Sequence, residues 1–320
     1  RVEAMTARSG DELAKALSSV LDGAAVEGLV RLSGGASRET WSFTAGGRAL
    51  ILQRQRDGAV RGMGTEAEVL RAARAGGVPV PELVVDGSGS DALGNPFLVV
   101  AAVEGETIAR KILRDDRFGA ARRSLTAGIG EAMARLHSIP VSAAPSLVEQ
   151  EQVAYYRGVL DTLGEPHPVF EVAFRWLETN RPPARPAAIV HGDFRLGNVM
   201  VDERGLAAVL DWELAHVGDP MEDLGWVCVR AWRFGGRNPV AGLGTYEELF
   251  DAYEAAGRER PSADTVRWWE VLGTLKWGIM CIMQASSHLN GLTRSHELAA
   301  IGRRVCENEW DLLRLLEGRV

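Results

Sequence analysis

Apolar positions along this chain change their period about a third of the way in. In the first part they come in short runs. Residues 28–32, 40–44 and 48–53 read as strands, and Ala45-Gly46-Gly47 marks the turn between the second and third. A helical repeat over residues 11–21 precedes them. Another runs from 64 to 74 and stops at Gly76-Gly77. Pro79 and Pro81 forbid more helix and lead into a strand at 83–86. Residues 97–103 are apolar at every position, as in a strand covered on both faces.

After Glu104-Gly105 the helical period takes over. It predicts helices over 118–138, 151–163, 169–179, 221–232, 246–256, 263–289 and 295–316. A strand-rich island interrupts them at 189–190, 199–201 and 207–210. No internal repeat or low-complexity segment occurs. The pattern predicts an α+β protein in two parts. Residues 1–103 form a small sheet with one main helix, and residues 104–320 form a larger helical part carrying a loop-rich β insertion.

Composition narrows the class. Of 320 residues, 46% are hydrophobic and 25% charged, enough for a proper core, so disorder is not expected. The net charge of −7 argues against nucleic acid as a partner, which usually meets a basic face. The three cysteines, Cys228, Cys281 and Cys306, are far apart and fit no metal spacing, which suggests a reducing compartment. The opening residues lack the apolar core of a signal peptide, and no run of about 18 apolar residues predicts a membrane span. A cytoplasmic protein that does not engage a membrane is expected. The first residue is Arg, so a native start upstream is expected too. The oligomeric state is left open.

The chemistry concentrates in His191-Gly192-Asp193-Phe194-Arg195-Leu196-Gly197-Asn198 and Leu210-Asp211-Trp212-Glu213. An Asp, an Asn five positions on, and a second Asp thirteen further on sit among predicted strands. Phosphoryl transfer needs such a set. Hard oxygen ligands must hold Mg²⁺ against the dense charge of a triphosphate. One more carboxylate must orient the acceptor hydroxyl and take its proton. Positioning and charge neutralisation do the rest.

These segments, with Gly218-Asp219-Pro220-Met221-Glu222-Asp223-Leu224-Gly225-Trp226, resemble the aminoglycoside phosphotransferase-like family, which shares the protein-kinase fold. The resemblance runs over nearly the whole chain and implies two lobes with Mg²⁺–ATP between them. It implies that Asp193 is the catalytic aspartate. Asn198 and Asp211 then bind the metal, His191 organises the loop, and Arg195 lies near the γ-phosphate. Asp223 would hold the loop from behind, and His137 would cap or pack at a helix end.

On the nucleotide side, Ser33, Gly34, Gly35, Ala36 and Ser37 join the first two strands, where small residues let backbone N–H groups approach phosphates. The third strand should carry a cation, yet 48–53 holds no Lys. The resemblance offers Arg54, with Gln53 as the competitor, because alternation lets only one of them face the cleft. It pairs that cation with Glu66, and it assigns the adenine edge to the backbone of Ala101 and Val103. ATP and GTP are not distinguished.

The expected partner is a small hydroxylated molecule. Residues 224–320 hold 12 Lys+Arg and 12 Asp+Glu, with none of the acidic bias a polycation needs. Arg230, Arg233 and Arg237 follow the Asp223 helix, and Trp226, Trp232, Trp268, Trp269 and Trp277 add aromatic bulk. Together with acyl-CoA-linked members of the family, these residues suggest a hydroxyacyl-CoA or a hydroxy acid. An aminoglycoside kinase and a nucleotide-binding pseudokinase are the alternatives. Residues 212–218 are too few for a peptide-docking activation segment, so a small acceptor is expected over a protein.

Overall fold

The computed structural model describes residues 10–32, 38–56 and 62–319. In chain order the elements are α1 (Gly10–Val20), β1 (Val26–Leu32), β2 (Arg38–Ala45), β3 (Arg48–Gln55), α2 (Met63–Ala75), β4 (Leu83–Gly87) and β5 (Phe97–Ala101). Then come α3 (Ala109–Arg114), α4 (Gly119–His137), α5 (Gln152–Leu163), α6 (Pro168–Thr179), β6 (Ala188–Val190), β7 (Val199–Val201), β8 (Leu206–Val209) and β9 (His216–Gly218). The chain ends with α7 (Met221–Cys228), α8 (Tyr246–Ala255), α9 (Ala263–Leu289), α10 (His296–Ile301) and α11 (Val305–Leu316).

The first five strands make one antiparallel sheet in the order β1-β2-β3-β5-β4. Strand alternation splits its side chains between two cores. Phe43, Leu50, Leu52, Phe97 and Val99 pack with Leu13 and Leu17 of α1 on the outer face. Leu98, Val100 and Ile51 turn to the inner face and join α2 and the helical part. β5 is therefore apolar throughout because both of its faces are covered. The sheet ends at Ala101, and Glu106 pairs with Val201, bringing the connecting segment onto β7.

Two short antiparallel pairs, β6–β9 and β7–β8, bracket the residues between them. Behind these pairs α7 packs closely on α9. A Cβ on Gly225 would lie 2.4 Å from Trp269 Cβ, so only glycine allows this approach.

The structure departs from the sequence reading in three places. The helix expected over 221–232 stops at Cys228, where the Arg233 guanidinium donates to the Cys228 carbonyl from Nε (3.2 Å) and Nη2 (3.1 Å). A 3₁₀ turn, Arg230–Arg233, follows, so Arg230, Arg233 and Arg237 do not share one helix face. The helix expected over 295–316 is broken by a 3₁₀ turn at Gly302–Arg304. β9 has only three residues, too few to show a period.

Candidate active site

The site grows from a left-handed turn. After β6, Gly192 has φ 78°, and a Cβ there would lie 2.6 Å from the Leu214 carbonyl oxygen. Glycine lets the chain turn sharply and present Asp193 at the end of the strand. Asp223, fully buried at the start of α7, fixes this turn from behind. Its Oδ2 and Oδ1 accept the backbone N–H groups of His191 and Gly192, each at 2.9 Å. His137 Nε2 donates to Oδ2 at 3.1 Å, and Tyr253 Oη lies 2.9 Å from His137 Nδ1. Burial opposes the Asp223 charge, but these donors hold its carboxyl below the usual range.

His191 organises the loop in a definite tautomer. Its Nε2–H donates to the Leu210 carbonyl (3.0 Å), and its Nδ1 accepts from the Asp193 N–H (3.1 Å). Burial lowers its pKa, so the ring works as a neutral strut.

Three side chains orient Asp193. Arg195 Nε (2.9 Å) and Trp226 Nε1 (2.8 Å) donate to Oδ1, and Asn198 Nδ2 donates to Oδ2 at 2.6 Å. Asn198 Nδ2 also donates to the Asp193 carbonyl, and the Asn198 carbonyl accepts from the Leu210 N–H. Asp193, Asn198 and the segment bearing Asp211 are thus one hydrogen-bonded unit. Asp211 has φ 62°, a strained backbone for a residue other than glycine. Burial, and then the nearby Glu213, push its carboxyl up to about 7, while Arg38 works the other way.

Among the described residues, no three His, Cys, Asp or Glu side chains converge on a metal position. Asn198 and Asp211 still suit Mg²⁺, which is commonly held by one or two side chains and completed by phosphate and water oxygens. The raised pKa of Asp211 fits that role, since its crowded charge lacks a full counter-charge until a cation arrives.

A buried cation braces the loop as well. Lys276, on α9, donates from Nζ to the Gly192 carbonyl (2.8 Å) and to Glu222 Oε1 (3.1 Å). It also lies 4.6 Å from the Trp226 ring centroid. Glu222 in turn pairs with His216 at 3.0 Å. The sequence reading missed Lys276, although its signal was available as the lone charge within the apolar run 271–283. It counted Trp226 as bulk rather than as a donor to Asp193.

The nucleotide side needs corrections. Ser33, Gly34, Gly35 and Ser37 lie outside the described residues. Arg54 does not meet Glu66. It shares the outer face with Leu50 and Leu52, is paired with Glu39, and donates from Nη1 to the Leu93 carbonyl (3.0 Å). Alternation instead turns Gln53 to the inner face, opposite Thr40. The partner of Glu66 is Arg38, with Nη1 2.6 Å from its carboxylate. Ala101, whose carbonyl the resemblance assigns with the Val103 N–H to the adenine edge, closes β5, and its own N–H donates to the Glu82 carbonyl, which leaves that assignment untouched. Ala102 donates to Ala49, and Val103 follows beyond the sheet.

On the acceptor side, Arg233 is not free for substrate. It pairs with Glu270 at 2.9 Å, and Tyr246 Oη donates to the same carboxylate at 2.7 Å. Trp226, Trp232 and Trp277 contact one another in series at tilted angles, with centroids 5.2 and 4.7 Å apart. The Arg195 guanidinium lies 4.6 Å over Trp232.

Comparison with known proteins agrees with this geometry. The model of the phosphotransferase enzyme family matches residues 28–264. Acyl-CoA dehydrogenase family member 11 of Gallus gallus is 30% identical over 213 residues, covering 61% of this chain and 27% of that protein. The chain thus spans about a quarter of the length of that relative. A choline/ethanolamine kinase family protein from Mesorhizobium loti superposes with TM-score 0.68 at 23% identity, covering 96% of this chain and 97% of that one. An aminoglycoside phosphotransferase in ternary complex with ADP and hygromycin B gives TM-score 0.65 at 17% identity, covering 94% and 98%. These likenesses establish the two-lobed protein-kinase-like fold.

Proposed function

The chain belongs to the phosphotransferase enzyme family, and on that premise we propose that it passes the γ-phosphoryl group of ATP to a hydroxyl of a small molecule. The observation that carries this reading is the single hydrogen-bonded unit of Asp193, Asn198 and the segment bearing Asp211. When bound, Mg²⁺–ATP supplies the transferable phosphoryl group and the charge that offsets its oxygens.

The side chains divide the work. Asp211 and the Asn198 amide oxygen hold the metal, since the Asn198 Nδ2 donors are already committed to Asp193. Asp193 Oδ1 is occupied by Arg195 and Trp226. Among the described residues Oδ2 takes the Asn198 donor alone and has room to receive the acceptor proton. Arg195 stays at the edge of the reacting centre, held between Asp193 and the Trp232 face. The division of the chain at residues 103 and 104 places the nucleotide lobe before the acceptor lobe.

For the acceptor we favour a hydroxyacyl-CoA or a hydroxy acid. Arg110, Arg114, Arg230 and Arg304 line a cleft of about 710 Å³ with Trp277, Trp310 and two carboxylates, Asp311 paired with Arg230 and Glu307 paired with Arg304, so cations outnumber acids there. Behind its wall, Trp277 packs on Trp232, which carries the Arg195 guanidinium on its face. The indole N–H groups of Trp232 and Trp277 are buried with no acceptor among the described residues. Such a lining favours an anionic acceptor over an aminoglycoside. The acyl-CoA dehydrogenase names of the relatives point the same way. Gln53, uncharged where a cation was expected, favours a second reading as a pseudokinase; measured turnover separates the two.

Two variants test the site. Asp193→Asn should keep Mg²⁺–ATP affinity while lowering transfer by about 10²- to 10⁴-fold. Asp211→Ala should weaken Mg²⁺–ATP binding and abolish transfer. Normal binding by calorimetry together with normal turnover in the Asp211 variant would refute the assignment.

A further inference from the structure

We infer that Arg38, on β2, is the cation that grips the nucleotide phosphates in this chain, replacing a charge on β3. The inference rests on the phosphotransferase reading and adds a residue to it. Directly opposed residues of an antiparallel pair point to the same face. Arg38 opposes Gln55 and Thr40 opposes Gln53, so Arg38, Thr40, Gln53 and Gln55 share the inner face. The β3 position there is an amide, and the β3 cation Arg54 is committed to Glu39 on the other face.

Arg38 stands where the missing charge is needed. It is the first residue of β2, immediately after the glycine-containing stretch 33–37. Its side chain is only 15% exposed. One guanidinium nitrogen is 2.6 Å from Glu66 of α2, and another is 3.7 Å from Glu213, two residues past Asp211. It therefore joins the main helix of the sheet lobe to the segment that holds the metal. A guanidinium has five donors in a planar fork, and these two contacts use only part of it. A purely structural tie to Glu66 would not require a position beside the metal segment. Burial works against the Arg38 charge, but Glu66 first and then Asp211 and Glu213 outweigh it and raise its pKa, while the contacts to Glu66 and Glu213 position the guanidinium before nucleotide arrives.

The test compares Mg²⁺–ATP with adenosine, which lacks phosphates, by calorimetry on the whole chain. Arg38→Gln is expected to weaken Mg²⁺–ATP by about tenfold to a hundredfold, with adenosine affinity held within about twofold. Arg38→Lys keeps the charge but loses the fork, so it should give a smaller loss for Mg²⁺–ATP alone. The double variant Arg38→Gln/Gln53→Arg returns a guanidinium to β3 on the same face and should recover about tenfold. Thermal melts establish that each variant is folded, and Arg38→Lys carries the comparison if Arg38→Gln is not. Unchanged Mg²⁺–ATP affinity in Arg38→Gln and Arg38→Lys overturns the inference and leaves the kinase reading intact. An equal loss for adenosine also overturns it, by showing a structural role. A wild-type chain that binds no Mg²⁺–ATP overturns the kinase reading, and the inference with it.

Discussion

Asp193 is held by three donors, and they do not do equal work. Arg195 and Asn198 neighbour it in sequence, but Trp226 reaches it from α7, 33 residues away. This indole links the helix anchored by Asp223 to the Asp193 carboxylate. Trp226→Phe keeps most of the ring volume and removes the donor. It should lower kcat by about threefold to thirtyfold and leave KM for ATP close to wild type. Steady-state kinetics on folded protein checks this; a change confined to KM would contradict it. The motif residues were legible as a group because they lie close in sequence on either side of short strands, and the fold gathers Asp193, Asn198 and the segment bearing Asp211 into one hydrogen-bonded unit. Arg54 was misassigned because its face depends on register. A one-residue shift moves a side chain across the sheet, and sequence alone placed the strand end two residues early.

At the level of elements, α7 and α9 carry a buried polar chain behind the catalytic loop: His216, Glu222, Lys276 and the Gly192 carbonyl. Burial disfavours the His216 imidazolium, but Glu222 outweighs it and the His216 pKa is raised. His216 Nδ1–H donates to the Leu214 carbonyl, and Nε2 lies 3.0 Å from both the Glu222 carboxylate and the Gln152 side-chain amide. The sign follows from linkage. A raised folded pKa gives stability that is full below about 6.5 and fades as pH rises through the folded value. Melting temperature should therefore fall as pH rises from about 6.5, and His216→Gln should flatten that slope. Equal slopes in both proteins would remove His216 from the account. Long helices such as α9 were legible from their period. The end of α7 was not, because a side chain 37 residues from Glu270 in sequence caps it and turns the chain.

For the whole molecule, the sheet and the helical part share one apolar core in which Leu98 and Val100 of β5 meet α2 and α4. That continuity lets Arg38 and Glu66 of the sheet part approach Glu213 and Asp211 of the other. The change of period near Glu104-Gly105 falls close to the end of the first sheet at Ala101, because strands covered on both faces and packed helices need different repeats. Acceptor identity was less legible. The cleft proposed for it is lined by side chains from α3, the 3₁₀ turn at Arg230–Arg233, α9 and α11, which only the fold gathers. The central claim is transfer of a phosphoryl group to a small hydroxylated molecule. Its most direct test is ADP release from Mg²⁺–ATP across hydroxyacyl-CoAs, hydroxy acids, choline and aminoglycosides, with mass spectrometry of the acceptor. The account predicts release stimulated by an anionic hydroxylated acceptor, one added phosphoryl group on it, and loss of both in Asp193→Asn. ADP release that no acceptor stimulates, or that persists in Asp193→Asn, would contradict it.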